Sequence, residues 1–197
     1  MTTEDFKLIW PTENDKLSSF DRNRLTELDL DKKSVEFLTS AGLPASASPF
    51  LSFVKNTKGD YDSIGRLTEY YDFLGQGFEK LIMIGSCGNG DPIVINTDKE
   101  CQIEWLDHEN NFGSFYFNSS IVSLCESLVA YRQFVQNTIL ENGEDAFLNS
   151  DFTDKQHYQL IDKLKLADIN SITNNGFWKD VIEMDLANRE DFRNTTS

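Results

Sequence analysis

Lys80-Leu81-Ile82-Met83-Ile84-Gly85, followed by Ser86-Cys87-Gly88-Asn89-Gly90-Asp91 and then Pro92-Ile93-Val94-Ile95, is the stretch that decides the fold. The first run is apolar without alternation, the pattern of a strand covered on both faces. The middle is turn chemistry built on Gly85, Gly88 and Gly90, and positive backbone φ is expected there. The third run resumes a strand. So short a connection permits only an antiparallel pair, because a parallel crossover needs about a dozen residues. Downstream, Cys101, Ile103 and Trp105 alternate with Gln102 and Glu104, as in a strand with one buried face. Phe112–Phe117 predicts another strand, with Phe115, Tyr116 and Phe117 in succession.

After Asn118 the period becomes helical. Ile121, Leu124, Cys125, Leu128, Tyr131 or Arg132, and Val135 share one face of a helix reaching about Leu140. Ser119 or Ser120 caps its start, and Asn142-Gly143 stops it. Thr153–Leu166 and Phe177–Asn188 predict further helices, and Asp168 caps a short one. Asn174-Asn175-Gly176 breaks the chain, and the polar tail Arg189–Ser197 is expected to fray. Upstream, a helix starting near Asp31 buries Val35, Phe37 and Leu38. Gly42 ends it, and Pro44 blocks re-entry. Phe50–Val54 and Leu67–Leu74 read as strands and Asn56–Asp60 as a turn, while residues 1–32 read as polar chain with apolar punctuation. The expected fold class is α+β: a mainly antiparallel central sheet of about six strands flanked by N-terminal and C-terminal helices. One domain is expected over 1–197, with a helical extension at about 141–197.

Composition excludes several functions. With 39 % hydrophobic and 12 % aromatic residues the chain has the apolar mass for a core, so it is not a disordered polymer. Its 33 acids against 18 Lys and Arg leave a net charge of −15. Such a field repels phosphate backbones, so no direct nucleic-acid binding is expected, while a basic protein would be steered towards it. Neither the basic, apolar start of a secretory leader nor a membrane-length apolar run is present. Cys87, Cys101 and Cys125 are odd in number and widely spaced. A cytoplasmic protein with reduced thiols, off the membrane, is expected.

The chemistry-bearing motifs are sparse. Gly85-x-x-Gly88-x-Gly90 leads into a strand, whereas a dinucleotide site needs its glycines to open a helix. The segment from Asp98 to Glu109 holds five acids and one lysine, net −4 over twelve residues. Its spacing is not that of a calcium loop, and no zinc pattern occurs; no metal and no cofactor is expected. It reads as a solvated hairpin face or as a docking patch for a basic partner. In the docking reading Asp98, Glu100, Glu104, Asp107 and Glu109 supply charge, and Trp105 and Tyr116 supply the anchors that carry binding energy. Alternation with Ile103 leaves a core role open for Trp105. The rival enzymatic reading is a small cytosolic hydrolase. It would pair Cys87 with His108, or two carboxylates.

The order of these signals resembles the SUKH superfamily, the fold shared with yeast Smi/Knr-type cell-wall regulators. Phe37-Leu38 with Gly42-Leu43-Pro44 is similar to its first helix and exit. Ile84-Gly85-Ser86, Gly88 and Gly90, then Pro92–Asn96 are similar to its central strand, glycine turn and next strand. Phe117-Asn118-Ser119-Ser120 resembles the asparagine–serine–serine start of the long helix in the fourth, bacterial subgroup. These marks span about residues 35–135. The resemblance implies an immunity protein of a polymorphic toxin system. Such a protein binds and neutralises a cognate protein toxin, often a nuclease or nucleic-acid deaminase. It transfers no catalytic residue. A regulatory scaffold of the cell-wall-regulator type is the other role it implies. Cys87 and Asn89 in the glycine turn, and residues 141–197, depart from the pattern.

Overall fold

A computed structural model describes residues 1–10, 16–56, 63–173 and 176–196. In chain order the elements are α1 (Thr3–Ile9), β1 (Leu17–Ser18), α2 (Arg22–Glu27), α3 (Lys32–Ser40), β2 (Leu43–Pro44), β3 (Ser46–Ala47), β4 (Leu51–Phe53), β5 (Gly65–Arg66), β6 (Leu81–Ser86), β7 (Pro92–Asn96), β8 (Gln102–Asp107), β9 (Gly113–Asn118), α4 (Ile121–Asn142), α5 (Asp154–Ala167) and α6 (Phe177–Thr196). The fold is α+β. The main sheet has the antiparallel order β3-β4-β6-β7-β8-β9, with β5 also on β6, and β1 and β2 form a separate pair.

The β6–β7 hairpin lies inside the sheet and is buried on both faces, as its apolar run requires. Ile82, Ile84, Ile93 and Ile95 point into the larger core, which also holds Leu124 and Leu128 of α4 and Phe37 and Leu38 of α3. Leu81 and Val94 point the other way, into a second core with Leu67, Leu106 and Phe112. Each such side chain contributes about 1.5–3 kcal/mol by leaving water.

The second core corrects one expectation. Leu67–Leu74 is no strand. The chain leaves β5 after two residues and forms a 3-10 turn at Leu67–Glu69, with another at Gln76–Phe78. Aromatic content favoured a strand, but Leu67, Tyr71, Leu74 and Phe78 recur at helix-like spacing, and all four pack into the second core. The tail is the other correction. Instead of fraying at Arg189, α6 continues to Thr196. Arg189 is buried there, donating to Phe152 O and to Asp154, with its guanidinium 4.8 Å from the Phe152 ring centre. Residues 1–32 also hold more structure than their polarity implies. Thr2 and Asp5 cap α1 reciprocally, and Asp21 caps α2. The Asn56–Asp60 turn lies almost wholly outside the described residues, as do Asn174 and Asn175.

Three sequence signals act locally as expected. Asp31 caps α3, Ser120 caps α4 and Asp168 caps the short turn Ile169–Ile172. Asn118 is fully buried and joins three elements. Its Nδ2 donates to Ser127 Oγ on α4 at 3.1 Å, and its Oδ1 accepts from Trp178 Nε1 on α6 at 3.0 Å. Gly42 ends α3 at φ +77°, where a Cβ would stand 1.9 Å from the Ser18 carbonyl oxygen.

Two stability outcomes follow. Gly42→Ala meets both a positive φ and the β1 backbone, and should cost about 2–4 kcal/mol in urea unfolding. Asn118→Ala leaves the buried Trp178 N–H without an acceptor and should cost about 1–3 kcal/mol.

Candidate functional site

The turns β6–β7 and β8–β9 emerge at the same end of the sheet. The first is tied tightly. Cys87 N–H donates to Asp91 O at 2.8 Å and Gly90 N–H to Cys87 O at 2.9 Å, with Gly90 at φ +90°. Of the three glycines in the motif only Gly90 takes a positive φ. Gly88 is required for space, because a Cβ there would stand 2.8 Å from Phe50 Cβ.

Asp91 locks the two turns together. Its side chain is buried. It accepts from Asn89 Nδ2 at 2.6 Å and from the His108 backbone N–H at 3.0 Å, and its Oδ1 lies 2.6 Å from His108 Nδ1. Burial acts to raise the Asp91 pKa. The bonds from His108 and Asn89 outweigh it and hold the carboxyl below its usual range. The same bond raises His108 above its usual value. Cys87 sits beside this carboxylate. Burial, and then the Asp91 charge, push its thiol up to about 12, so it is protonated at neutral pH. Among the described residues no hydrogen bond joins Cys87 to His108, and no three His, Cys, Asp or Glu side chains gather as a metal site would need.

A groove of about 590 Å³ opens between this end of the sheet and α6. Phe50, Gly88 and Trp105 line it from the sheet side, and Phe177, Val181 and Met184 line it from α6. Trp105 stacks on Phe115 with ring centres 4.5 Å apart, and Phe177 stacks on Phe117 at 4.0 Å. Phe50 is 81 % exposed and Met184 44 %. Phe50 also holds φ +55°, a conformation rare for a bulky residue and found where the surroundings impose it. Asp91 and Asp180 also line the groove, and among the described residues no basic one does.

The seven residues read as a docking patch do not lie together. Glu104 is 1 % exposed, not solvated. It accepts from Lys99 Nζ at 2.6 Å, Gln102 Nε2 at 2.8 Å and Asn96 Nδ2 at 3.0 Å. Burial acts to raise its pKa, and the bonds from Lys99 foremost and then Asn96 keep it low. Asp98 and Glu100 sit in the β7–β8 connection and Asp107 and Glu109 at the opposite end of β8, about 17–20 Å away. Trp105 enters the groove. Tyr116 is next to Phe115 on β9 and so faces away from it; its hydroxyl donates to Asp168 at 2.8 Å. Only Trp105, Asp107 and Glu109 therefore fall at the groove end. Phe50, Asp180 and Met184 escaped the sequence reading, since no local pattern links positions so far apart in the chain.

The sign of the Asp91–His108 coupling is fixed by the two directions. His108 contributes stability fully below its ordinary value of 6.5, lost as pH rises through its raised folded value. Asp91 contributes above its ordinary 3.8, lost as pH falls through its lowered folded value. Asp91→Asn should move the His108 midpoint, followed by NMR, back down towards 6.5.

No helix among the described residues is long and apolar enough to cross a membrane. Comparison with curated proteins and with solved structures gave no match. A family model of the SUKH-4 immunity proteins matches residues 13–184. The match runs well past the sequence marks near residue 135, through α5 and into α6. With most of its length covered by that model, the chain belongs to the SUKH-4 immunity protein family.

Proposed function

We propose that this chain neutralises a cognate protein toxin by binding it one to one and occluding its working surface. Membership of the immunity family is the observation that carries this reading. The net charge of −15 supports a toxin with a basic active face, as in a nuclease or a nucleic-acid deaminase, whose site is shaped for phosphate. Asp98, Glu100 and Glu109 lie on sheet-end connections and Asp107 is the last residue of β8, where their charge speeds encounter without being neutralised inside the fold. Glu104, already held by Lys99, adds field but no direct contact. The mechanism asks no reaction of the chain: a protonated Cys87 and an imidazole held by Asp91 are parts of a rigid platform.

The test is inhibition of the toxin domain encoded beside this gene. Its activity should fall linearly and vanish at one equivalent of the protein. Raising salt from about 0.05 to 0.5 M should weaken affinity by about tenfold or more, through a slower association rate. Unchanged toxin activity at a large excess of the protein would refute the reading. Affinity indifferent to salt would remove its electrostatic part.

A further inference from the structure

The groove between the glycine turn and α6 has properties that toxin neutralisation by charge alone does not call for. Its lining is mostly apolar, with Phe50, Trp105, Phe177, Val181 and Met184 among it. Two of these, Phe50 and Met184, stand open at the rim. Large exposed apolar side chains beside a concavity mark contact sites. The base under them is preorganised. The Asp91 carboxylate ties the β6–β7 and β8–β9 turns together, and Gly88 gives Phe50 its seat. A rigid base lowers the ordering cost of binding. The rim has one sign of charge. Asp180 is exposed on α6, Asp91 is part of the lining, and among the described residues no cation lines the groove.

We infer that this groove seats an apolar side chain of a protein partner that is flanked by lysine or arginine. The apolar group fills the space over Trp105 and Phe177 between Phe50 and Met184, and the flanking cations meet Asp180 and the surrounding acidic field. An acidic segment is repelled, and a purely apolar one forgoes the charge contact. The inference rests on the immunity reading for the partner's identity, with the toxin as that partner, but not for the chemistry of the groove.

The test uses the whole purified chain and two five-residue peptides, each with a central phenylalanine, one flanked by lysines and one by glutamates. Binding is followed by two-dimensional NMR. The lysine-flanked peptide should shift the Gly88 and Asn89 amides, the Trp105 indole N–H and amides from Phe177 to Met184. It should bind about tenfold tighter than its glutamate counterpart. Phe50→Ala and Met184→Ala, both at exposed side chains, should each weaken it several-fold, and Asp180→Lys should abolish the preference for lysine. Leu148→Ala, equally exposed on the loop before α5, should change nothing. Shifts scattered away from the groove, or equal binding of the two peptides, would overturn the inference. So would a toxin bound equally by the wild type and by Phe50→Ala and Met184→Ala, which would leave the immunity reading intact. A lysine-flanked peptide seated in the groove of a chain that binds no toxin would uphold the inference and sink the immunity reading instead.

Discussion

Burial of the β6–β7 hairpin on both faces is the constraint from which the rest follows. Ile82, Ile84, Ile93 and Ile95 need cover on one side and Leu81 and Val94 on the other. The helices α3 and α4 supply the first cover. The irregular segment from Leu67 to Phe78 supplies the second, which explains why so aromatic a stretch forms turns instead of another strand. Once the hairpin is central, its glycine turn must protrude at one end of the sheet. The β8–β9 turn then emerges beside it, and Asp91 bonds the two through His108. The groove is a by-product of this arrangement: α6, pinned by Trp178 to Asn118 and by Arg189 to Phe152, runs past the protruding turn at a distance that leaves a cleft.

Electrostatics and packing are separated in space. Glu104 is the only acid of the Asp98–Glu109 segment drawn fully inside, and it is matched there by Lys99, Gln102 and Asn96. A buried carboxylate without such partners would be costly. The remaining acids stay near the surface, free to act at long range, where a field accelerates encounter more than it strengthens the final complex. Phe50 and Met184 add exposed apolar surface at the groove. An interface that combines the two has charge for approach and shape for retention.

Much of the architecture was legible in the sequence because the deciding signals are local. An apolar run, a glycine turn and an apolar run specify a hairpin. Asp31, Ser120, Thr153 and Asp168 stand immediately before helical patterns and cap them. The failures have equally physical causes. Leu67–Leu74 has the residue types of a strand but the spacing of a turn of helix. The end of α6 carries no local signal, because Arg189 is polar yet finds Phe152 and Asp154 far away in the chain. The site was least legible. Phe50, Gly88, Trp105 and Met184 meet only through the fold, and the partners that bury Glu104 come partly from strand register between β7 and β8. Acid count alone could not separate a satisfied carboxylate from a solvated one.

Amide hydrogen exchange of the chain, alone and with its toxin domain bound, tests the central claim most directly. Binding at the groove end of the sheet predicts slowed exchange in the turn from Cys87 to Asp91, around Phe50 and along Phe177–Met184, with the Asp98–Glu100 connection unchanged. Protection confined to that opposite connection or to α5, with the glycine turn exchanging as in the free protein, would contradict it.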